Sequence, residues 1–144
     1  MIARLIEPLA VARPLALAAT LASLVAFAGC GGSDDDADVR DTVRAFVDAT
    51  NQRDGDELCG ELLTQEYLEK ATGATGDKAE GACKQQLDLI TGLKLKLVSV
   101  AEPKVDGDEA TVRATIATGG RRTPRTFQLA KEDGRWKLVG ATGG

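Results

Sequence analysis

No histidine occurs among the 144 residues. Histidine-dependent triads, imidazole general bases and histidine-rich metal sites are therefore excluded. Aromatic side chains are scarce: three phenylalanines, one tyrosine and one tryptophan, beside three cysteines and four prolines. At 43% hydrophobic and 28% charged, the chain is long enough for one domain with one modest core and too short for two.

What is present begins with a segment that reads as an address. Met1 to Arg13 carries Arg4 and Arg13 against Glu7, and Leu15 to Phe27 is an unbroken run of apolar or small residues. A charged n-region followed by an apolar stretch of this length has the proportions of an export signal. A membrane-spanning helix needs about 20 apolar residues, and reaching that length here would bury Arg13.

Phe27-Ala28-Gly29-Cys30 resembles the lipobox of bacterial lipoproteins, in which a cysteine after small residues is linked to diacylglycerol and becomes the new N-terminus. The resemblance implies cleavage between Gly29 and Cys30, lipidation of Cys30, and a protein held by that anchor on the outer face of the cell membrane. Phe27 departs from the aliphatic residue usual there. Simple secretion after Ala28 and an uncleaved helical anchor are the alternatives. Residues 30–36 then read as the lipidated cysteine and a flexible acidic tether, Gly31-Gly32-Ser33-Asp34-Asp35-Asp36. Removing Cys30 leaves Cys59 and Cys83, an even pair in an oxidising compartment, expected as a disulfide. No histidine or third thiol remains to complete a metal site with them. No metal or other cofactor is expected.

Charge divides the exported chain. Residues 31–92 hold 6 basic and 15 acidic side chains, a net of −9, and residues 93–144 hold 10 and 6, a net of +4. The net acidity argues against nucleic acid as a partner. The acidic half predicts three helices. Val39, Val43, Phe46, Val47 and Thr50 share one face of a helix over 37–51. Asp56 offers an N-cap for a second, carrying Leu58, Cys59, Leu62 and Leu63 and continuing as a separate turn through Tyr67 and Leu68. Asp77 and Glu80 have capping-box spacing ahead of a third, whose stripe is Cys83, Leu87 and Ile90. The basic half predicts strands. Leu93 to Val100 is the first, ended by Pro103 to Gly107; alternation over Ala110, Val112, Ala114 and Ile116 marks the next; Arg125 to Lys131 and Arg135 to Val139 follow, joined by Asp133-Gly134. Trp136 and Leu138 are expected to face inward.

Three helices and then an antiparallel meander is an α+β pattern. The first helix, the linked helical pair, Glu109 to Ile116, and above all the ending Asp133-Gly134-Arg135-Trp136-Lys137-Leu138 resemble the nuclear-transport-factor-2-like superfamily, close to its SnoaL-like and bacterial lipoprotein members. The resemblance covers residues 37–140, leaving 141–144 as a tail. It implies a cystatin-like cone, in which a curved antiparallel sheet wraps the first helix and leaves a pocket at its open end. Candidate pocket residues are Tyr67, Val112, Ala114, Ile116, Phe127, Leu129, Trp136 and Leu138. Related enzymes, such as ketosteroid isomerase, place a carboxylate inside the cone, whereas these inward strand positions carry no ionisable group. A slip of one residue in register would instead turn Arg113 and Lys137 inward.

Other motifs fail on inspection. Gly76 to Gly81 has phosphate-loop spacing without the Lys-Ser/Thr that must follow, and Asp106-Gly107-Asp108 lacks the later ligands of a calcium loop. Arg121, Arg122 and Arg125 form a basic cluster with two readings, a solvated hairpin or a contact with anionic lipid or wall polymer near the anchor. The sequence thus leads to a non-catalytic binding or interaction module on the membrane, for a small apolar ligand or an envelope protein, with a homodimer possible through the outer sheet face. A cone-pocket enzyme of the isomerase or cyclase type and a structural envelope subunit are the alternatives.

Overall fold

The computed structural model describes residues 32–143. The predicted signal segment 1–29, including Gly29, and the predicted lipidation site Cys30 lie outside them. None of the described helices is long and apolar enough to cross a membrane.

The sheet is built on a long hairpin. Strand β3, Glu109–Thr118, pairs antiparallel with β4, Arg121–Glu132, over its whole length. Ala110, Val112, Ala114 and Ile116 are buried between exposed Glu109, Thr111 and Arg113, so the predicted register holds. Gly119 and Gly120 make the turn, both at positive φ, the conformation a two-residue hairpin loop needs. Asp133 and Gly134 repeat that conformation between β4 and β5, Arg135–Gly143. On the other side of β3 lie β1, Leu95–Val100, and β2, Lys104–Asp106, end to end along one edge.

Several predicted limits move. Pro103 to Gly107 is more than a strand end, because residues 104–106 pair with β3 before Gly107 turns the chain. The basic cluster lies on the β3–β4 hairpin, where Arg121, Arg122 and Arg125 are exposed and all belong to β4 itself. Residues 141–143 are strand and not tail, since they pair with Arg125 to Phe127. A register shift at Gln128/Leu129 leaves Val139 as an extra residue opposite β4. That bulge lets Trp136, Leu138 and Ala141 all share the face of Phe127 and Leu129. Lys137 points the other way, as predicted, yet is only 7% exposed. Its Nζ lies 4.0 Å from Glu132 Oε1, and Glu132 Oε2 accepts a hydrogen bond from the Gln65 amide.

Helix α1 spans Gly32–Gln52 and lies against the curved antiparallel sheet. Val39, Val43, Val47 and Ala49 form its buried face, and the Phe46 ring meets Phe127 edge-on at 5.8 Å. The tether expected at residues 30–36 is a correction: from Gly32 on, these residues are helical. Aspartates in a first turn face the positive end of the helix dipole, and Asp35 is held by partners on the sheet.

Among the described residues there are four helical segments, because the expected separate turn through Tyr67 and Leu68 is a helix of its own. A π-helical stretch, Asp56–Leu62, precedes α2, Gln65–Thr72, and α3, Asp77–Leu89. The chain breaks between the first two because Leu63 bridges Leu138 in parallel and Thr64 donates its amide to the Leu138 carbonyl, extending the sheet edge. Thr64 then caps α2 through its hydroxyl. Asp56 is no cap; it pairs with Lys84 at 2.6 Å, and Asp54 accepts the Glu57 amide instead. Glu80 likewise turns to Lys84, at 2.7 Å, and the cap position before α3 is Gly76. The inner stripe of α3 is Ala79 and Leu87, both buried, with Cys83 half-buried between them at four-residue steps, whereas Ile90 sits beyond the helix end and is 42% exposed. Cys59 and Cys83 are joined as a disulfide, with Cα atoms 6.0 Å apart.

Candidate functional site

The two ends of the cone differ in kind. At one end, the first turn of α1 is locked to the β4–β5 hairpin. Lys131 Nζ lies 2.7 Å from Asp35 Oδ1, Trp136 Nε1 donates to the same oxygen at 3.1 Å, and the ammonium sits 5.0 Å from the centre of the indole ring. Hydrogen bonds from Lys131 and Trp136 hold the Asp35 carboxyl below its ordinary 3.8, and the bond to Asp35 holds Lys131 above its ordinary 10.5. A depressed acid stabilises the fold above its unfolded pKa and loses that contribution as pH falls through its folded value; a raised lysine loses its contribution only as pH rises past 10.5. Urea denaturation of Asp35→Asn beside the wild type should therefore show a stability difference that is level from about pH 5 to 9 and shrinks below about pH 4. A difference that persisted unchanged at pH 2 would sink this account of the contact.

The other end is open. The later turns of α1 bring Phe46, β1 brings Leu95, β3 Ile116 and Thr118, β4 Thr123, Arg125 and Phe127, and β5 Ala141 to a cavity of about 230 Å³. Register explains the set. Ile116 pairs with Thr123, Ala114 with Arg125, Val112 with Phe127, and Phe127 with Ala141, so every strand residue here belongs to the inward face. Arg125 lies between two small neighbours, Ala114 and Gly143. A methyl group at Gly143 would stand 2.9 Å from its guanidinium Nη1, so the side chain lies across Gly143 on the inward side of the sheet. Among the described residues Arg125 forms no ion pair, whereas Arg135 at the closed end pairs with Glu61.

No protein-family model matches the sequence, and no curated protein matches it. Solved structures do. A Streptomyces avermitilis protein named as a candidate dehydratase of the NTF2-like family superposes with TM-score 0.54 at 21% identity, over 75% of this chain and 93% of that one. A Nostoc punctiforme protein of unknown function with a cystatin-like fold gives 0.55 at 14%, over 77% and 90%. The fold is the NTF2-like, cystatin-like cone. A Mycobacterium tuberculosis protein of unknown function shares it, with TM-score 0.57 at 17% identity over 81% of this chain and 77% of that one.

The NTF2-like cone brings together only part of the predicted pocket. Ile116 and Phe127 line the cavity. Val112, Ala114, Leu129 and Leu138 are 2–3% exposed and fill the middle of the cone. Trp136 is buried at the closed end, with its indole nitrogen committed to Asp35, and it borders a separate hollow of about 400 Å³ beside Thr42 and Glu61. Tyr67 is half-buried on α2, its ring 3.9 Å from where a Gly140 side chain would begin, away from the cavity. The eight candidate positions carry no ionisable group, as read from the sequence; two further residues of the same strand face do, Arg125, exposed beside the cavity, and Lys131 at the closed end. Both share the parity of Phe127 and Leu129 in the sequence, so alternation alone marks them. Arg121, Arg122 and Arg125 are all exposed, as a surface cluster should be, and Arg125 also borders the cavity.

Proposed function

We propose that this chain is a lipid-anchored extracytoplasmic lipoprotein whose NTF2-like cone is a binding module for a small ligand held in its open end. The observation that carries the reading is the cavity itself, apolar and hydroxyl-lined with a single guanidinium. Arginine keeps its proton throughout the working pH range, so it offers charge and hydrogen bonds and not proton transfer. The alternative, a SnoaL-like or ketosteroid-isomerase-like enzyme, draws on neighbours named as candidate enzymes, including a candidate aromatic ring hydroxylase from Novosphingobium aromaticivorans at TM-score 0.53 and 15% identity, over 77% of this chain and 94% of that one. It would need a carboxylate or phenol facing the cavity.

An anchor on Cys30 would also orient the cone. Gly32, where α1 begins, is two residues away and so within about 7 Å of Cys30. The helix has 21 residues and a length of about 30 Å. Its first turn binds the closed end and its last turn, through Asn51 and Leu95, the open end. The bilayer would therefore meet the closed end, and Arg121, Arg122 and Arg125 would face away from it, against a lipid contact for that cluster near the anchor. Cys30→Ser should move the exported protein from the membrane pellet to the soluble fraction; retention after a high-salt wash would point to an uncleaved helix instead.

A further inference from the structure

We infer that the open end of the cone selects a small carboxylate with an apolar body, its carboxylate paired with Arg125 and its body against Phe46, Ile116 and Phe127; this rests on the binding-module reading above. Three observations converge on that chemistry. The rest of the lining is largely apolar and includes two aromatic rings, already packed edge-on with each other. Thr118 and Thr123 add hydroxyl donors at the same rim. Arg125 has the inward parity in the strand register, is exposed where it borders the cavity and, among the described residues, has no carboxylate partner, so the cavity offers a free cation to a negative charge. Guanidinium is suited to a planar carboxylate because its parallel N–H groups engage both oxygens. The volume, about 230 Å³, is below that of a drug-sized pocket and sets the scale of the ligand at one ring or a short chain.

The test is a paired titration of the mature protein in zwitterionic detergent with benzoate and with benzamide, which has the same shape and no charge, read by amide chemical shifts. Benzoate should bind about tenfold or more tightly than benzamide, with shifts at Ile116, Thr123, Arg125 and Ala141, and added salt should narrow the gap. Arg125→Met should bring the ratio to about one, while Arg122→Met, on the opposite face of β4, leaves it intact. A spectrum unchanged outside the cavity verifies that each variant folds. Equal binding of the two probes, or a preference that survives Arg125→Met, would overturn the carboxylate assignment and leave the binding-module reading standing. Absence of cavity shifts with both probes would overturn the two together.

Discussion

Removing the Cys59–Cys83 disulfide, as the double variant Cys59→Ala/Cys83→Ala, is expected to lower the unfolding free energy by about 3.5 kcal/mol. The bond closes a loop with a sequence separation of 24, and in the chain-entropy treatment a loop of that size restricts the unfolded chain by that amount. Its placement makes the loss felt locally as well. The bond ties the π-helical stretch to α3, and beside it Lys84 reaches both Asp56 and Glu80, partners that hold its pKa above the ordinary lysine value. Those ion pairs are exposed and are worth little alone. With roughly 2.1 cal/mol/K of unfolding entropy per residue, a 3.5 kcal/mol loss in a domain of this size lowers Tm by about 15 °C. Thermal melts of the oxidised protein and the double variant measure it. A drop below about 4 °C would mean that the reduced unfolded chain keeps its helical pair together.

Phe127→Ala is expected to cost about 3–5 kcal/mol, the range for deleting a buried phenylalanine ring. Phe127 is 1% exposed, pairs with Val112 and Ala141, and meets Phe46 across the sheet-to-helix interface. It is also the boundary between the filled middle of the cone and the cavity, so its loss joins the new void to existing space that water can enter. That places the effect toward the lower end of the range. Arg125→Met, two residues away on the same face, removes no buried contact and should change stability by less than about 0.5 kcal/mol. Urea denaturation of the two variants in parallel separates a residue that holds the cone from one that serves its opening.

Strand alternation was legible because its period of two is strict and one face is buried: the inward set Ala110, Val112, Ala114 and Ile116 and the turns at Gly119-Gly120 and Asp133-Gly134 follow from residue order alone. Helix limits were less so. Asp34 to Asp36 have the composition of a solvated tether, and they become helix where Asp35 meets Lys131 and Trp136, partners about a hundred residues away. Leu63 and Thr64 leave the helix for the same reason, a backbone partner at Leu138 that no local pattern announces.

The candidate site shows the same division. Ile116 and Phe127 were legible as inward residues, but only packing distinguishes a lining residue from a filling one: Val112, Ala114 and Leu129 are buried in the middle of the cone, whereas Ile116 and Phe127 border the cavity. The sequence by itself determined the α+β order, the strand faces, the even cysteine pair and the division of charge, because these rest on periodicity and chemistry within short stretches. Tertiary structure alone decided where the cavity opens, that Arg125 borders it and that residues 34–36 belong to α1. Each of those depends on contacts between residues far apart in the chain, whose energy exists only once the sheet has closed around α1.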